Sequence, residues 1–107
     1  MNDFPIDDIS LHLRASKHKE YQERVVLRFK TFVEFLQKEK LTMRELLPPQ
    51  EEPPPDFKIM ESDLTEEGLE LVTKAYDKWL KAQDRGKSPT DVTILATGIK
   101  KIRESHS

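Results

Sequence analysis

The chain has 107 residues, of which 36% are apolar and 36% are charged, with a formal net charge of -2 and no cysteine. A chain of this length can bury one modest core, and without cysteine it forms no disulfide, thiolate nucleophile or cysteine-ligated zinc site. No half of the chain is basic enough to indicate a protein built around nucleic acid or an anionic membrane.

The first fifteen residues are compatible with two local structures. Apolar residues alternate with polar ones from Ile9 to Leu13, as in a β-strand. Ile6, Ile9 and Leu13 also share one face of a helix, which either of the two aspartates before Ile9 could cap. We expect a short helix here, because a strand would need a partner and the other candidate strand is the brief run 57–60.

A long amphipathic helix is predicted over residues 17–40, with Ser16 as its N-cap. Its apolar positions recur at intervals of three and four residues, as on one face of a helix. Together they cover about half of the circumference at 100° per residue. A face this broad indicates contact with more than one neighbouring element.

The middle of the chain is predicted to be a rigid connection between two helical halves. Thr42 and Glu45 have the spacing of a capping box, which predicts a short helix over residues 43–47. Five of the seven prolines then fall within residues 48–55. Because proline lacks a backbone N–H and its ring clashes with the preceding helical turn, no helix can cross this stretch. We expect an extended, polyproline-like spacer over residues 48–56.

The C-terminal part is predicted to form an αα-hairpin over residues 65–103. Its first helix, near 65–85, has Thr65 as its N-cap and Gly86 as its stop. Its second helix, near 89–103, is expected to begin with a serine cap followed by proline. The connection between the two helices would then be three residues long.

These elements predict one all-α domain over residues 1–107. Its architecture would be a small bundle of three main helices, with the αα-hairpin at the C-terminal end and the proline-rich spacer between the halves. The predicted core consists of the apolar residues on the inner helix faces: Val25, Phe29, Phe32, Leu36, Leu69, Val72, Tyr76, Trp79, Leu95 and Ile99.

No sequence pattern points to catalysis, a cofactor or a metal. Gly86-Lys87-Ser88 matches only the end of a phosphate-binding loop, because Lys81 stands where the first glycine would be. The three histidines lack the spacing of paired metal ligands, and the adjacent acids lack the pattern of a calcium loop. We therefore expect no enzymatic activity, no cofactor and no metal.

The excess width of the apolar helix faces favours a protein that binds another protein or a second copy of itself. A regulator, an adaptor or an immunity-type inhibitor would fit. The candidate partner-binding residues are Leu27 and Ile94, which fall off the main helix faces, and Phe35. A cytoplasmic location is expected, because the first residues lack the apolar run of a signal peptide and no stretch is long enough to span a bilayer.

The alternative is a DNA-binding regulator that uses the hairpin 65–103. A short connection that contains glycine is typical of helix-turn-helix motifs. Residues 85–103 hold five basic residues and one acid, a net charge of +4, although that acid, Asp91, would face phosphates. The candidate DNA contacts are Arg85, Lys87, Thr90, Lys100, Lys101 and Arg103.

Overall fold

The computed structural model describes residues 3–106; Met1, Asn2 and Ser107 lie outside it, and with them the start of the segment considered as a signal peptide. The elements in chain order are β1 (Pro5–Asp8), α1 (Ile9–Ala15), α2 (Lys19–Lys38), β2 (Lys58–Met60), α3 (residues 66–84) and α4 (Thr93–Ser105). The described chain is mostly helical, as predicted, but it also contains a small sheet that the all-α prediction did not include.

Strands β1 and β2 form a two-stranded antiparallel sheet. Pro5 pairs with Met60 and Asp7 with Ile59, with one irregularity in the register between Pro5 and Asp7. Strand β2 is three residues long, too short for a period-two pattern to stand out in the sequence. The all-α prediction is wrong at this point, because the sheet is created by pairing between segments about fifty residues apart in the chain.

Helix α1 begins directly after β1, so the first fifteen residues contain both a strand and a helix. Asp8 caps the helix, because its Oδ1 atom accepts the backbone N–H of Ser10 at 2.9 Å. The hydroxyl of Ser10 also donates to this carboxylate and lowers the pKa of Asp8. Ile9 is fully buried, which anchors the start of α1 in the core.

Helix α2 is shorter at both ends than the predicted range 17–40. It begins after His18, and Ser16 is not its N-cap, because the Ser16 hydroxyl accepts the N–H of His18 at 3.2 Å before the helix starts. At the other end, Lys40 has a φ of 61°, which stops the helix. The difference is a frayed turn at each end rather than a change in the face that α2 buries.

The predicted short helix over residues 43–47 is wrong. Thr42 instead forms an isolated antiparallel bridge with Leu64. The backbone N–H of Met43 donates to the carbonyl of Asp63 at 2.8 Å. The chain therefore leaves α2 in an extended conformation, with its backbone bonded across to another segment instead of along a helix.

A single side chain on α2 holds the rest of this segment. Gln37 Oε1 accepts the backbone N–H groups of Leu46 at 2.6 Å and Leu47 at 3.0 Å. Its Nε2 donates to the carbonyl of Leu47 at 3.0 Å. Since Leu47 is buried, Gln37 replaces the backbone partners that a helix would have supplied.

The proline-rich segment contains no helix and no strand, as predicted for residues 48–56. It is not extended throughout, because two turns bend it. The N–H of Glu51 donates to the carbonyl of Pro48 at 3.2 Å, and the N–H of Phe57 donates to that of Pro54 at 3.0 Å. The second turn delivers the chain to β2, so the segment guides the chain back to the core.

Helix α3 has the two ends that the sequence predicts. Thr65 Oγ1 accepts the N–H of Gly68 at 3.1 Å, as an N-cap does. Gly86 has a φ of 105°, which is accessible to glycine at little cost. The N–H of Lys87 then donates to the carbonyl of Ala82 at 3.1 Å, the bond that closes a Schellman motif.

A π-helical turn, Val72–Tyr76, lies inside α3 between the α-helical stretches Glu66–Leu71 and Asp77–Asp84. A π-turn adds one residue to a turn of the α-helix. The residues before it and after it therefore no longer follow the same 3.6-residue pattern of side-chain positions. The sequence gives no indication of it. Its position matters because residues of this turn contact both α4 and β1.

Helix α4 begins at Thr93, so the predicted start of a helix at residue 89 is wrong. The connection to α3 is eight residues long, not three. Near the end of this connection, Asp91 Oδ1 accepts the hydroxyl of Thr93 at 2.6 Å and the Thr93 N–H at 3.0 Å, and these two bonds lower the pKa of Asp91. Trp79 Nε1 donates to the carbonyl of Asp91 at 2.7 Å, and the N–H of Asp91 donates to Ser88 at 3.0 Å. These bonds fix a turn where the sequence predicted a cap.

Eight of the ten predicted core residues are buried, and the other two, Leu69 and Val72, are half-buried. At the centre, the ring of Phe32 lies 4.5 Å from that of Tyr76 and 5.6 Å from that of Trp79, measured between centroids. Stacked and tilted aromatic pairs at such distances add to the burial of α2 against α3. Fully buried residues that the sequence did not predict include Ile9, Val33, Leu41, Ile59 and Leu71.

Replacing Gln37 by alanine should lower the free energy of unfolding by about 1–3 kcal/mol, because it leaves buried backbone groups without partners. The measurement is urea denaturation followed by circular dichroism. Lys38→Ala, at the exposed neighbouring position, is the matched control and should change stability by less than about 0.5 kcal/mol. Equal effects of the two substitutions would contradict the role given to Gln37.

A candidate partner-binding groove

A groove of about 650 Å³ lies between α3 and α4. Three lysines line it and their side chains are exposed: Lys74, Lys78 and Lys101. More deeply placed between them are the apolar or small residues Ala75, Ile94, Gly98 and Ile102. We call this feature the lysine-rimmed groove. Three hydroxyl side chains, Thr93, Thr97 and Ser105, complete its lining.

The groove lies where the two helices are in close contact. A Cβ atom placed on Gly98 would lie 3.0 Å from the Cβ of Ala75 and 3.0 Å from Cδ1 of Leu71. Such contacts are tighter than side chains normally make, so a larger residue at position 98 would force the neighbouring side chains or the helices to shift. The contact explains the glycine inside α4, which on its own weakens a helix.

The π-turn supplies one wall of the groove. Lys74 and Ala75 belong to it, and both line the groove. Lys74 Nζ lies 2.7 Å from Glu70 Oε1 across one turn of α3. His106 Nε2 lies 2.9 Å from the other carboxylate oxygen, and the contacts with His106 and Lys74 lower the pKa of Glu70. The charge of Lys74 is therefore partly balanced within the protein.

Lys78 and Lys101 differ from Lys74. Within residues 3–106, neither has a carboxylate within the 4.0 Å of an ion pair. Among residues 3–106, no acidic residue lines the groove. The groove thus has a positive local charge although the whole chain has a net charge of -2.

A polar cluster lies at the other end of the π-turn. Tyr76 donates a short hydrogen bond to Asp7 Oδ2, and His12 Nε2 lies 2.8 Å from Asp7 Oδ1. Burial, followed by the negative charge of Asp7, raises the pKa of Tyr76 well above its usual value. The phenol stays protonated, so it ties β1 to α3 as a hydrogen-bond donor rather than serving as a nucleophile. None of these three residues lines the groove.

The predicted partner-binding residues do not lie together. Ile94 lines the lysine-rimmed groove and is half-buried there. Leu27 is 40% exposed, but it lies on α2 in a separate surface depression beside Leu13. Phe35 is 8% exposed and belongs to the core, which corrects its selection as a surface residue. It was selected because it widens the apolar face of α2, and this wider part of the face packs into the core.

Arg103, one of the candidate DNA contacts, forms hydrogen bonds and ion pairs with other residues of the same chain. Its Nη1 lies 2.7 Å from Glu39 Oε1, and its Nη2 donates to the Glu39 carbonyl at 2.7 Å. Its Nε also lies 3.4 Å from Glu67 Oε1. The hydrogen bonds to Glu39 raise the pKa of Arg103 still further. This side chain joins α4 to the end of α2 and to the first turn of α3.

The other candidate DNA contacts are divided between two regions. Arg85, Lys87 and Thr90 are exposed in the eight-residue connection, where Lys87 Nζ lies 3.8 Å from Asp91. Lys101 lines the groove, and Lys100 is exposed on α4 outside it. The connection is eight residues long, not the three or four of a helix-turn-helix, so the predicted short connection on which the DNA-binding alternative was based is wrong.

Two of the three groove lysines were not selected from the sequence. Glu70 and Lys74 have the spacing of an ordinary i,i+4 pair, which the structure confirms, and such pairs usually lie on a solvated face. Lys78 has no distinguishing pattern. Gly98 in the middle of a helix was the one available indication that another helix packs closely at this position.

No protein-family model, curated protein or solved structure matches the chain. Among residues 3–106, no group of three or more histidine or acidic side chains is arranged to hold a metal ion. In the same range, no helix combines the length and the apolar character needed to cross a membrane. What the groove can bind is therefore inferred from its own residues.

Stability should fall above about pH 10 in a way that depends on Tyr76. The native state keeps this phenol protonated, whereas the unfolded chain releases its proton near pH 10, so the unfolded state binds fewer protons and gains stability as pH rises. At neutral pH, Tyr76→Phe should cost about 1 kcal/mol, and this difference from the wild type should shrink above pH 10.

Urea denaturation at several pH values between neutral and strongly alkaline measures this difference. Tyr21→Phe, at a half-buried tyrosine on α2, is the matched control and should follow the wild-type profile. If the wild type and Tyr76→Phe lost stability in parallel at alkaline pH, the phenol would not have the protected proton described above.

Proposed function

We propose that the protein is a binding module that recognises another protein through the lysine-rimmed groove, and that the recognised segment is negatively charged. The observation that supports this most directly is an apolar floor beneath three lysines in a lining without acidic residues. An apolar site with a few charged groups around it is typical of specific recognition, since burial supplies affinity and charge supplies selectivity.

The floor favours a protein partner over a nucleic acid. Ile94 and Ile102 lie one turn to either side of Gly98, so a side chain placed over the glycine would contact both. Apolar contact contributes about 25 cal/mol per Å² of buried surface, which a phosphate backbone would not use. Binding of duplex DNA depends instead on many phosphate contacts, and this chain is acidic overall.

The groove favours binding over catalysis. Its titratable side chains are the three lysines, and no histidine or carboxylate lines it to act as a general acid or base beside them. The Asp7, His12 and Tyr76 cluster does contain such groups, but the raised pKa of Tyr76 and its bond to Asp7 support a structural role.

The expected result of selecting a phage-displayed random peptide library against the protein is a set of acidic peptides with at least one large apolar residue. Their binding should weaken as salt rises, because salt screens the attraction between charges. Titration of a selected peptide into isotopically labelled protein should shift the amide resonances of α3 and α4 around the groove.

The double variant Lys78→Glu/Lys101→Glu should lose at least about tenfold in affinity for these peptides, since it places like charges opposite each other. Lys17→Glu/Lys100→Glu changes the net charge equally at exposed positions outside the groove and should bind normally. Three results would contradict the proposal. The selected peptides could lack carboxylates, the resonance shifts could lie elsewhere on the protein, or sedimentation could show a stable dimer that the groove variants disrupt.

A further inference from the structure

Helices α3 and α4 run in opposite directions along the groove. Ala75 of α3 lies close to Gly98 of α4. Towards its C-terminal end, α3 contacts the connection that precedes α4, where Trp79 Nε1 donates to the Asp91 carbonyl at 2.7 Å. Earlier residues of α3 meet later residues of α4, as in the contact between Glu70 and His106 at 2.9 Å.

This antiparallel arrangement fixes the positions of Lys78 and Lys101, the two groove lysines that pair with no carboxylate of residues 3–106. Lys78 is three residues beyond Ala75 on α3, and Lys101 is three residues beyond Gly98 on α4. Because the helices run in opposite directions, these steps lead away from the contact towards opposite ends of the groove. At 1.5 Å per residue, the two lysine positions are about 9 Å apart along the groove.

Between the two lysines lies the place where side chains are smallest. Gly98 has no side chain and Ala75 has only a methyl group, while Ile94 and Ile102 lie one turn to either side of Gly98 on α4. The groove therefore has Lys78 towards one end, Lys101 towards the other, and apolar or small residues in its lining between them.

We propose that the occupant is an amphipathic helix of a partner protein that carries acidic residues at positions i and i+7 and a large apolar residue at i+3 or i+4. This inference rests on the proposed function and specifies the partner segment. Seven residues of helix span about 10.5 Å, close to the separation of about 9 Å between the two lysine positions along the groove. The two acidic positions and the apolar position share one helix face. The acids then reach Lys78 and Lys101 while the apolar side chain lies over Gly98.

Other spacings and conformations fit less well. Acids at i and i+4 of a helix are about 6 Å apart, so both would crowd one end of the groove. In an extended segment, residues on the same face are about 6.6 Å or 13 Å apart, and neither distance matches the lysines. Lys74 is not needed as a primary contact, because Glu70 already pairs with it at 2.7 Å.

Synthetic peptides test the spacing directly. The matched probe is an alanine-rich capped peptide of about 18 residues, long enough to be partly helical, with glutamates at i and i+7 and leucine at i+3. A second peptide has the same composition with its glutamates at i and i+4, and a third has the leucine replaced by alanine. Affinities are measured by isothermal titration calorimetry at about 50 mM salt, where screening is weak.

The matched peptide should bind about tenfold more tightly than either of the other two. Lys78→Gln and Lys101→Gln should each weaken it several-fold, whereas Lys74→Gln and Lys100→Gln should change its affinity less than twofold. Both groove lysines are exposed, so these variants are expected to fold, and their circular dichroism spectra check this.

The outcomes separate the motif from the function on which it rests. Equal affinity for the two glutamate spacings would overturn the motif while peptides selected from the library still support the groove. If no designed peptide binds but selected acidic peptides do, the helical motif is wrong. If neither set binds, both proposals fail. Displacement of the matched peptide by mixed-sequence duplex DNA at about 50 mM salt would overturn the protein partner in favour of nucleic acid.

Discussion

The close approach of α3 and α4 at Gly98 and Ala75 is the constraint on which the candidate site depends. A side chain at position 98 would meet Ala75 and Leu71 at 3.0 Å, so any larger residue must push the helices apart or displace a buried leucine. The same two small residues also line the groove, together with Ile94 and Ile102. Packing and the proposed recognition would thus depend on one contact, and a larger residue there would alter the core and the groove together.

The π-turn of α3 connects this contact to the N-terminal part of the chain. One of its residues, Ala75, packs against α4, and the next, Tyr76, donates to Asp7 in β1. The ring of Tyr76 also lies 4.5 Å from that of Phe32, which ties the turn to α2. Three contacts in three directions hold an irregular turn that sequence propensity alone would replace with a regular helix.

Features set by neighbouring residues could be predicted from the sequence, and features set by distant residues could not. Thr65 and Gly86 were recognised as the ends of α3 because capping depends on a few adjacent residues. The capping-box pattern after α2 was misleading because Gln37, several residues earlier, holds that segment through its side chain. For the site, Ile94 and Lys101 were among the candidates selected from the sequence. Lys78 becomes significant only because the antiparallel packing of α3 and α4 places it in the same groove as these two residues.

Some charged side chains of this protein form ion pairs within the fold, whereas the two groove lysines Lys78 and Lys101 do not. Several acids of α3 are engaged in pairs, as Glu67 is with Arg103 and Glu70 with Lys74, whose Nζ–Oε1 distance is 2.7 Å. Lys78 and Lys101 form no such pair with any residue that the structure describes. Neither lysine is buried, so each contributes little to stability. The affinity proposed for the groove would therefore change with these two charges while the fold stays intact.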